Sequence, residues 1–166
     1  MSGKSLVNIR YERIWEESPL PLDNPENAFR VISGDFVTTD DGTGIVHTAP
    51  TFGADDYKAA KSAKPEVPPL QVLDKNGIKV PLVDLKGKFI DGIGLISGKY
   101  VKNEYYESDS IPEKSVDVEI SIRLKELNRA FKVEKYSHSY PHCWRTDKPV
   151  LYYPMESWFI KMDSLS

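Results

Sequence analysis

Residues 42–57 read GTGIVHTAPTFGADDY, in which a short apolar run passes through one loop into the start of a helix. Residues 35–39 precede this stretch and are separated from residues 44–47 by an Asp-Gly turn signal, so we predict a β-hairpin there. Residues 55–64 are rich in alanine and stop before a proline, which predicts a short helix that begins at the aspartate pair. Ordered elements are therefore expected on both sides of the loop.

Turn-forming residues interrupt the rest of the chain at short intervals, with 12 Pro and 10 Gly spread over 166 residues. This spacing favours a mainly β fold built from short strands. The further strand candidates are residues 6–14, 29–32, 78–80, 88–90, 133–140 and 150–153. The longest helix is expected from Ser115 onward, because apolar residues recur there at spacings of four, three and four up to Phe131.

The composition, with 40% hydrophobic residues and a net charge of -3, is typical of one soluble domain or a fragment of one. A pI near 5.7 excludes a strongly basic nucleic-acid-binding domain. From residue 120 onward, however, eight bases outnumber five acids, which leaves a local contact with nucleic acid open. The sequence has no apolar run typical of a signal peptide or a membrane span, and its single cysteine predicts no internal disulfide, so we expect a cytoplasmic protein.

His47 and Asp56 are the first candidates for a site. His47 ends the predicted strand, and Asp56 follows nine residues later in the first turn of the predicted helix. A helix N-terminus favours an ionised carboxylate, so Asp56 is suited to hold an ammonium group. The structural alternative is that Asp55 caps the helix, Asp56 only complements its dipole, and His47 is half-buried with its hydrogen bonds satisfied. From the residues alone, both interpretations stay open.

A second group of candidates lies near the C-terminus, where His138, His142 and Cys143 are of the types that bind zinc. Pro141 separates the two histidines, and Thr146 stands where a second cysteine of a Cys-x-x-Cys pair would be. We therefore predict no metal site. A Cys-His nucleophilic pair is also disfavoured, because neighbours in a strand point to opposite faces. The aromatic residues around this segment suit either core packing or stacking on nucleotide bases.

Two blocks of sequence resemble a known family. Residues 42–57 resemble the signature of the editing domain inserted in class I isoleucyl-tRNA synthetases. Residues 136–149, YSHSYPHCWRTDKP, resemble the segment that ends that domain. Residues 89–94 and the Trp158-Phe159 pair fit in order and separation. Valyl- and leucyl-tRNA synthetases carry related insertions and stay as alternatives, as does a non-catalytic structural or tRNA-contacting fragment.

The resemblance implies a compact, mainly β, barrel-like domain with peripheral helices over residues 1–160. Residues 161–166 would then begin the return to the catalytic domain. The family's threonine-rich strand forms another wall of the editing pocket, and residues 1–34 hold no counterpart of it. The isolated chain is therefore expected to be weakly active or inactive. The ATP-binding signatures of class I synthetases are also missing, so no cofactor is expected in this fragment, and ATP and Mg²⁺ are assigned to the catalytic domain of the parent enzyme.

The activity that the resemblance implies is hydrolysis, by a positioned water, of valine wrongly esterified to tRNA(Ile) by a ligase that uses ATP to attach isoleucine. One methylene in an apolar pocket is worth only about 1 to 3 kcal/mol, a limit for which these synthetases are themselves the standard example. His47 would shape the pocket around the side chain and ribose, and Asp56 would hold the α-ammonium, with Thr48, Phe52 and Asp55 as further lining residues. No catalytic residue is assigned. The implied partners are the valine-carrying 3′ end of tRNA(Ile) and the other synthetase domains in cis, in a monomer with no membrane contact.

Overall fold

The computed structural model describes residues 2–40, 42–135, 137, 139–155, 157–158 and 160. These residues form two α-helices, one two-stranded antiparallel sheet and several short 3₁₀ turns, joined by bends and extended segments. The helices are α1, Ala54–Ser62, and α2, Val116–Glu126; the strands are β1, Gln71–Leu73, and β2, Lys79–Pro81. The 3₁₀ turns are Gly3–Leu6, Pro25–Asn27, Gly94–Ile96, Asn103–Tyr105 and Ser108–Ser110. No helix in the described part of the chain has the length and apolar character that crossing a membrane requires.

The sheet is a hairpin in which Val72 of β1 lies opposite Val80 of β2. Its turn is organised by Asp74, whose Oδ1 accepts hydrogen bonds from the amides of Asn76 at 2.8 Å and Ile78 at 2.9 Å. An aspartate that bonds the backbone two residues ahead is a common device for closing such turns. The predicted strand at residues 78–80 is therefore confirmed, displaced by one residue.

Both predicted helices are observed. α1 occupies most of the predicted range, and α2 begins after Ser115, whose hydroxyl accepts a hydrogen bond from the amide of Val118 at 3.4 Å. The predicted continuation of α2 to Phe131 is wrong. Asn128 adopts the left-handed conformation with φ +54°, and the amide of Arg129 donates to the carbonyl of Leu124, which ends the helix.

The predicted hairpin between residues 35–39 and 44–47 is not formed. The amide of Val37 donates to the carbonyl of Gly34, and the amide of Ile45 donates to Thr43 Oγ1. These local bonds use donors that a ladder between the two strands would need, and short polar side chains offer the backbone this alternative.

Three other predicted strands, at residues 6–14, 29–32 and 88–90, reduce to isolated bridges, the last through Lys88 with Tyr100 and Phe89 with Val83. Residues 6–14 and 29–32 meet in one antiparallel bridge, Arg10 with Arg30, supported by a 2.8 Å bond from the amide of Asn8 to the carbonyl of Val31. The described parts of residues 133–140 and 150–153 contain no strand. The chain thus has antiparallel β character in one sheet and several bridges, while its described elements do not make a closed barrel.

The core lies between α2 and the 3₁₀ turn Gly94–Ile96. Ile93, Ile96 and Val116 are buried there, and Trp15, Leu82, Phe89 and Ile120 pack against them. The ion pair of Lys99 Nζ with Glu119 Oε2, at 2.5 Å, closes one side of this contact. The core therefore anchors α2, whereas α1 and the loop before it are held by separate contacts.

Candidate functional site

Asp56 ties the start of α1 to the loop that precedes it. It is the third residue of the helix, and its carboxylate Oδ2 accepts a hydrogen bond from the backbone amide of Ala49 at 3.0 Å. The helix N-terminus favours negative charge at this place. No described group donates to the other oxygen, Oδ1. The structure thus fixes a half-buried carboxylate against the backbone two residues after His47 and leaves one of its oxygens available.

Gly53 makes room for this carboxylate. It is the N-cap residue of α1, and a Cβ atom at this position would lie 2.7 Å from Asp56 Oδ2. The structural alternative in which Asp55 caps the helix is not observed, because no side chain caps α1. Asp55 instead pairs with Lys58 at 3.5 Å on the exposed surface. The N-terminus of α1 therefore has no side-chain cap, and the carboxylate of Asp56 bonds to the preceding loop instead.

Thr51 fastens the middle of the loop to the segment that leads into β1. Its side chain is buried, and Oγ1 both accepts from the amide of Leu70 at 3.0 Å and donates to the carbonyl of Leu70 at 3.3 Å. This hydroxyl satisfies two backbone groups across 19 residues of chain. Sequence reasoning missed Thr51, because a threonine in a loop gives no sign of which distant backbone it will meet.

Phe52 fastens the same loop to the C-terminal part of the chain. Its ring meets that of Tyr153 edge to face, with ring centres 6.2 Å apart, and the Tyr153 hydroxyl donates to the carbonyl of Val83 at 2.9 Å. Burial raises the pKa of Tyr153 above its ordinary value, so the hydroxyl keeps its proton as a donor at neutral pH. Phe52 therefore positions the loop, and Tyr153 is a second supporting residue that the sequence did not indicate.

His47 and Thr48 directly precede Ala49, whose amide bonds to Asp56. The His47 ring is exposed and makes no hydrogen bond with any described residue, whereas Thr48 is half-buried. A half-buried histidine with satisfied hydrogen bonds, the structural alternative, does not describe this ring. An exposed imidazole, two residues before the amide that holds the Asp56 carboxylate, is available to contact a polar ligand.

A groove of about 580 Å³ runs along another face of α1. Asp55 lines it, together with Arg30 and Lys58, whereas the other four candidate residues do not. The buried guanidinium of Arg30 is occupied by Asn8 Oδ1 at 2.7 Å, the carbonyl of Asn27 at 3.1 Å and the carbonyl of Pro65. The structure therefore places Asp55, but not Asp56, on this groove and gives Arg30 a structural role.

The second candidate group is only partly described, since His138 lies outside the described residues. Among those residues, no three His, Cys, Asp or Glu side chains gather as a metal site would need. The Thr146 hydroxyl bonds to the Cys143 thiol, as do the backbone amides of Arg145 and Thr146, and these bonds hold the pKa of Cys143 below its ordinary value. The absence of a metal stays a prediction.

Comparison with known proteins returns isoleucine–tRNA ligases. The chain is 55% identical over 170 residues to that of Cytophaga hutchinsonii, 50% identical over 176 residues to that of Porphyromonas gingivalis, and 51% identical over 176 residues to one from Bacteroides fragilis. Each match covers 96% of this chain and 15% of the relative, so the chain spans about one seventh of their length. No family model matches the chain. The resemblance to isoleucyl-tRNA synthetases is thereby confirmed.

Proposed function

We propose that this chain, a homologue of one segment of the isoleucine–tRNA ligases, is the editing domain of such a ligase and hydrolyses valine mistakenly esterified to tRNA(Ile). The main support from the geometry is Asp56, whose carboxylate is held at the start of α1 by the amide of Ala49, a residue only two positions after the exposed His47. A fixed carboxylate with one free oxygen is what recognition of an α-ammonium group needs.

Asp56 would bind the substrate through Oδ1 while Oδ2 keeps its bond to Ala49. Because Oδ2 is already held, the carboxylate loses little freedom when the ammonium group arrives, which strengthens binding. His47 would contact the ribose or the amino-acid side chain, with Thr48 beside it. Phe52 would act by holding the loop in place through Tyr153 rather than by touching the substrate.

The reaction needs no nucleophile from the protein. The oxygen of a bound water forms a bond to the ester carbonyl carbon, and the carbon–oxygen bond to the ribose then breaks. The ribose oxygen takes up a proton as the water loses one, so the products are valine and uncharged tRNA. Orientation of the water and stabilisation of the developing oxyanion would supply the rate, and a site too small for isoleucine would supply the selectivity.

The remaining parts of this proposal concern the parent enzyme. Residues 1–160 would belong to a barrel-like domain with α1 and α2 at its periphery, completed by other parts of the ligase chain, and residues 161–166 would lead back to the catalytic domain. That domain would hold ATP and Mg²⁺. The protein would act in the cytoplasm as a monomer, with tRNA(Ile) as its partner.

Hydrolysis of valyl-tRNA by the parent ligase tests the proposal. Asp56→Asn removes the charge that holds the ammonium group, so kcat/KM should fall roughly 10- to 100-fold. Asp117→Asn makes the same change in the first turn of α2 and should leave hydrolysis unchanged. Full activity of Asp56→Asn would contradict the assigned role. The isolated chain should hydrolyse the ester weakly or not at all; robust turnover that Asp56→Ala abolishes would overturn this expectation.

A non-catalytic, RNA-contacting fragment is the second candidate, supported by the excess of bases after residue 120. A non-hydrolysable valyl-adenosine analogue distinguishes the two. Amide signals of residues 47–57 should shift with the analogue if the chain binds the aminoacyl end. Shifts that occur only with tRNA, centred on the C-terminal third, would favour the fragment. Comparing valyl, threonyl and isoleucyl esters tests the valyl and leucyl alternatives in the same assay.

A further inference from the structure

Tyr153 connects the loop before α1 to a part of the chain that lies far from that loop in sequence. Its hydroxyl donates to the carbonyl of Val83 at 2.9 Å, and its ring meets that of Phe52 edge to face, with ring centres 6.2 Å apart. A partly buried tyrosine can use its apolar ring and its polar hydroxyl on different partners. This half-buried side chain therefore links Phe52 to Val83.

The carbonyl that Tyr153 bonds to has a fixed position of its own. Val83 is buried and forms an antiparallel bridge with Phe89. The next residue, Asp84, accepts a hydrogen bond from the amide of Lys86 at 2.8 Å through its Oδ1. An aspartate that bonds the backbone two residues ahead holds a turn in one conformation. The hydroxyl of Tyr153 is therefore attached to an ordered part of the backbone.

A groove of about 250 Å³ lies beside Tyr153 and is also lined by Leu85, Tyr105 and Leu151. Where a side chain borders open space, it lacks the packing contacts that would otherwise hold it. Close packing therefore does not fix the Tyr153 ring on every side. The hydrogen bond to Val83 and the contact with Phe52 determine where the ring lies.

The Phe52 side of this contact leads to the candidate site. The amide of Phe52 donates to the carbonyl of Ala49 at 3.0 Å, which closes a turn over residues 49–52. The amide of Ala49 in turn donates to Asp56 Oδ2 at 3.0 Å. The backbone of Ala49 is thus bonded to Phe52 through its carbonyl and to Asp56 through its amide. A shift of Phe52 would move Ala49 and with it the bond that fixes the carboxylate.

We propose that Tyr153 is a positioning residue for ester hydrolysis. It holds Phe52, the amide of Phe52 holds Ala49, and the amide of Ala49 holds the Asp56 carboxylate ready for the ammonium group of the substrate. The inference rests on the proposed function, since it takes the α-ammonium of an aminoacyl ester as the group that Asp56 binds. Tyr153 acts by preorganising the carboxylate, so its loss should weaken substrate binding.

Hydrolysis of valyl-tRNA by the parent ligase tests the inference. Tyr153→Leu removes both contacts, so KM should rise roughly three- to tenfold with kcat kept. Tyr153→Phe loses only the bond to Val83, so its KM should lie between those of wild type and Tyr153→Leu. Tyr11→Leu is the matched control, because it breaks the edge-to-face contact of Tyr11 with Phe29, whose ring centres are 6.4 Å apart. No hydrogen bond or ring contact among the described residues joins Tyr11 to residues 47–56, so KM should stay unchanged.

An ester without an ammonium group separates positioning of Asp56 from a general loss of structure. The α-hydroxyisovaleryl ester of the same tRNA carries a hydroxyl where valine carries its amino group. Tyr153→Leu should change KM for this ester by less than about twofold, because no cation is left for the carboxylate to hold. An equal rise in KM for both esters, or a fall in kcat for both, would show that the variant disturbs the fold and would overturn the inference.

The amide of Ala49 gives a second measurement, which does not depend on editing. In the 166-residue chain, Tyr153→Leu should shift the NMR signal of this amide and speed its hydrogen exchange at least about threefold, whereas Tyr11→Leu should leave both unchanged. An Ala49 amide that does not respond to Tyr153→Leu would overturn the inference. If the amide responds but Asp56→Asn hydrolyses valyl-tRNA at the full rate, the proposed function fails instead, and the contacts from Tyr153 to Ala49 are supported.

Discussion

At the scale of single residues, Gly53 determines whether Asp56 can keep its position. An added Cβ would lie 2.7 Å from Asp56 Oδ2, so Gly53→Ala should displace the carboxylate from the amide of Ala49. We expect a loss of about 1 kcal/mol in the free energy of unfolding of this chain and roughly tenfold less editing in the parent ligase. The φ of -138° at Gly53 suits alanine, so the loss would report the contact and not backbone strain.

Gly3 provides the matched control, because a Cβ there would meet nothing within 4 Å. Gly3→Ala should leave both the free energy of unfolding and the editing activity of the parent ligase unchanged. Gly53→Ala should also add little to Asp56→Asn in a double-mutant cycle, since both changes act on one carboxylate. Additive losses would contradict the shared cause.

The second prediction at this scale concerns the pKa of the Cys143 thiol. The hydrogen bond from the Thr146 hydroxyl is the largest cause that lowers the pKa of the thiol, and two backbone amides add to it. The thiolate therefore forms at lower pH than in an unfolded chain. Thr146→Val should move the pH profile of iodoacetamide alkylation to higher pH, and Thr146→Ser should keep it. Cys143 is the only cysteine in the sequence, so the measured alkylation rate belongs to this thiol alone. An unchanged profile in Thr146→Val would show that the hydroxyl does not bond to sulfur.

At the scale of elements, Thr51 couples the loop before α1 to the segment that enters β1. Thr51→Val keeps the shape but leaves the amide and carbonyl of Leu70 without their partner. An unsatisfied buried group costs about 1 to 3 kcal/mol, so we expect a loss in that range in urea unfolding. Thr51→Ser retains the hydroxyl and should recover most of it. Faster amide exchange at Leu70 in the valine variant would identify the broken contact, and an unchanged rate there would contradict the coupling.

The same scale shows what the sequence could predict. α2 could be predicted because Ser115 and the apolar spacing act within a few residues. The strand at residues 78–80 could be predicted too, and the turn before it is equally local, since Asp74 bonds its own neighbours. The hairpin of residues 35–39 and 44–47 was predicted from the same kind of pattern and failed. A strand needs a partner, and local bonds to Thr43 and Gly34 occupied amides that a ladder would have used.

In the candidate site, too, some residues could be predicted from the sequence and others could not. His47 and Asp56 were indicated by their place at the ends of predicted elements and by the family resemblance, and the contact of Asp56 with Ala49 spans only seven residues. The support from Thr51 and Tyr153 could not be predicted, because it depends on where distant segments meet. Contacts between residues that are close in the sequence could therefore be predicted, whereas contacts between distant segments could not.

At the scale of the whole molecule, the chain exposes far more surface than its mass requires. Its accessible surface is 13048 Å² at 18.8 kDa, whereas a compact monomer of this mass exposes about 8,300 Å². Large apolar side chains account for part of the excess, among them Ile45, Leu85 and Phe131. Such surface is what a chain leaves uncovered when its hydrophobic groups lack packing partners.

This excess predicts an unusually shallow unfolding transition. The unfolded chain exposes about 27,000 Å², so folding to this structure buries about 14,000 Å², against about 19,000 Å² for a compact chain of equal mass. Because the denaturant slope follows the area exposed on unfolding, the urea m-value should be about three quarters of that of a compact 166-residue protein. The uncovered surface should also bind an apolar dye, and the same residues in the parent ligase should not. An m-value equal to that of the compact reference would show that side chains such as Leu85 pack in solution.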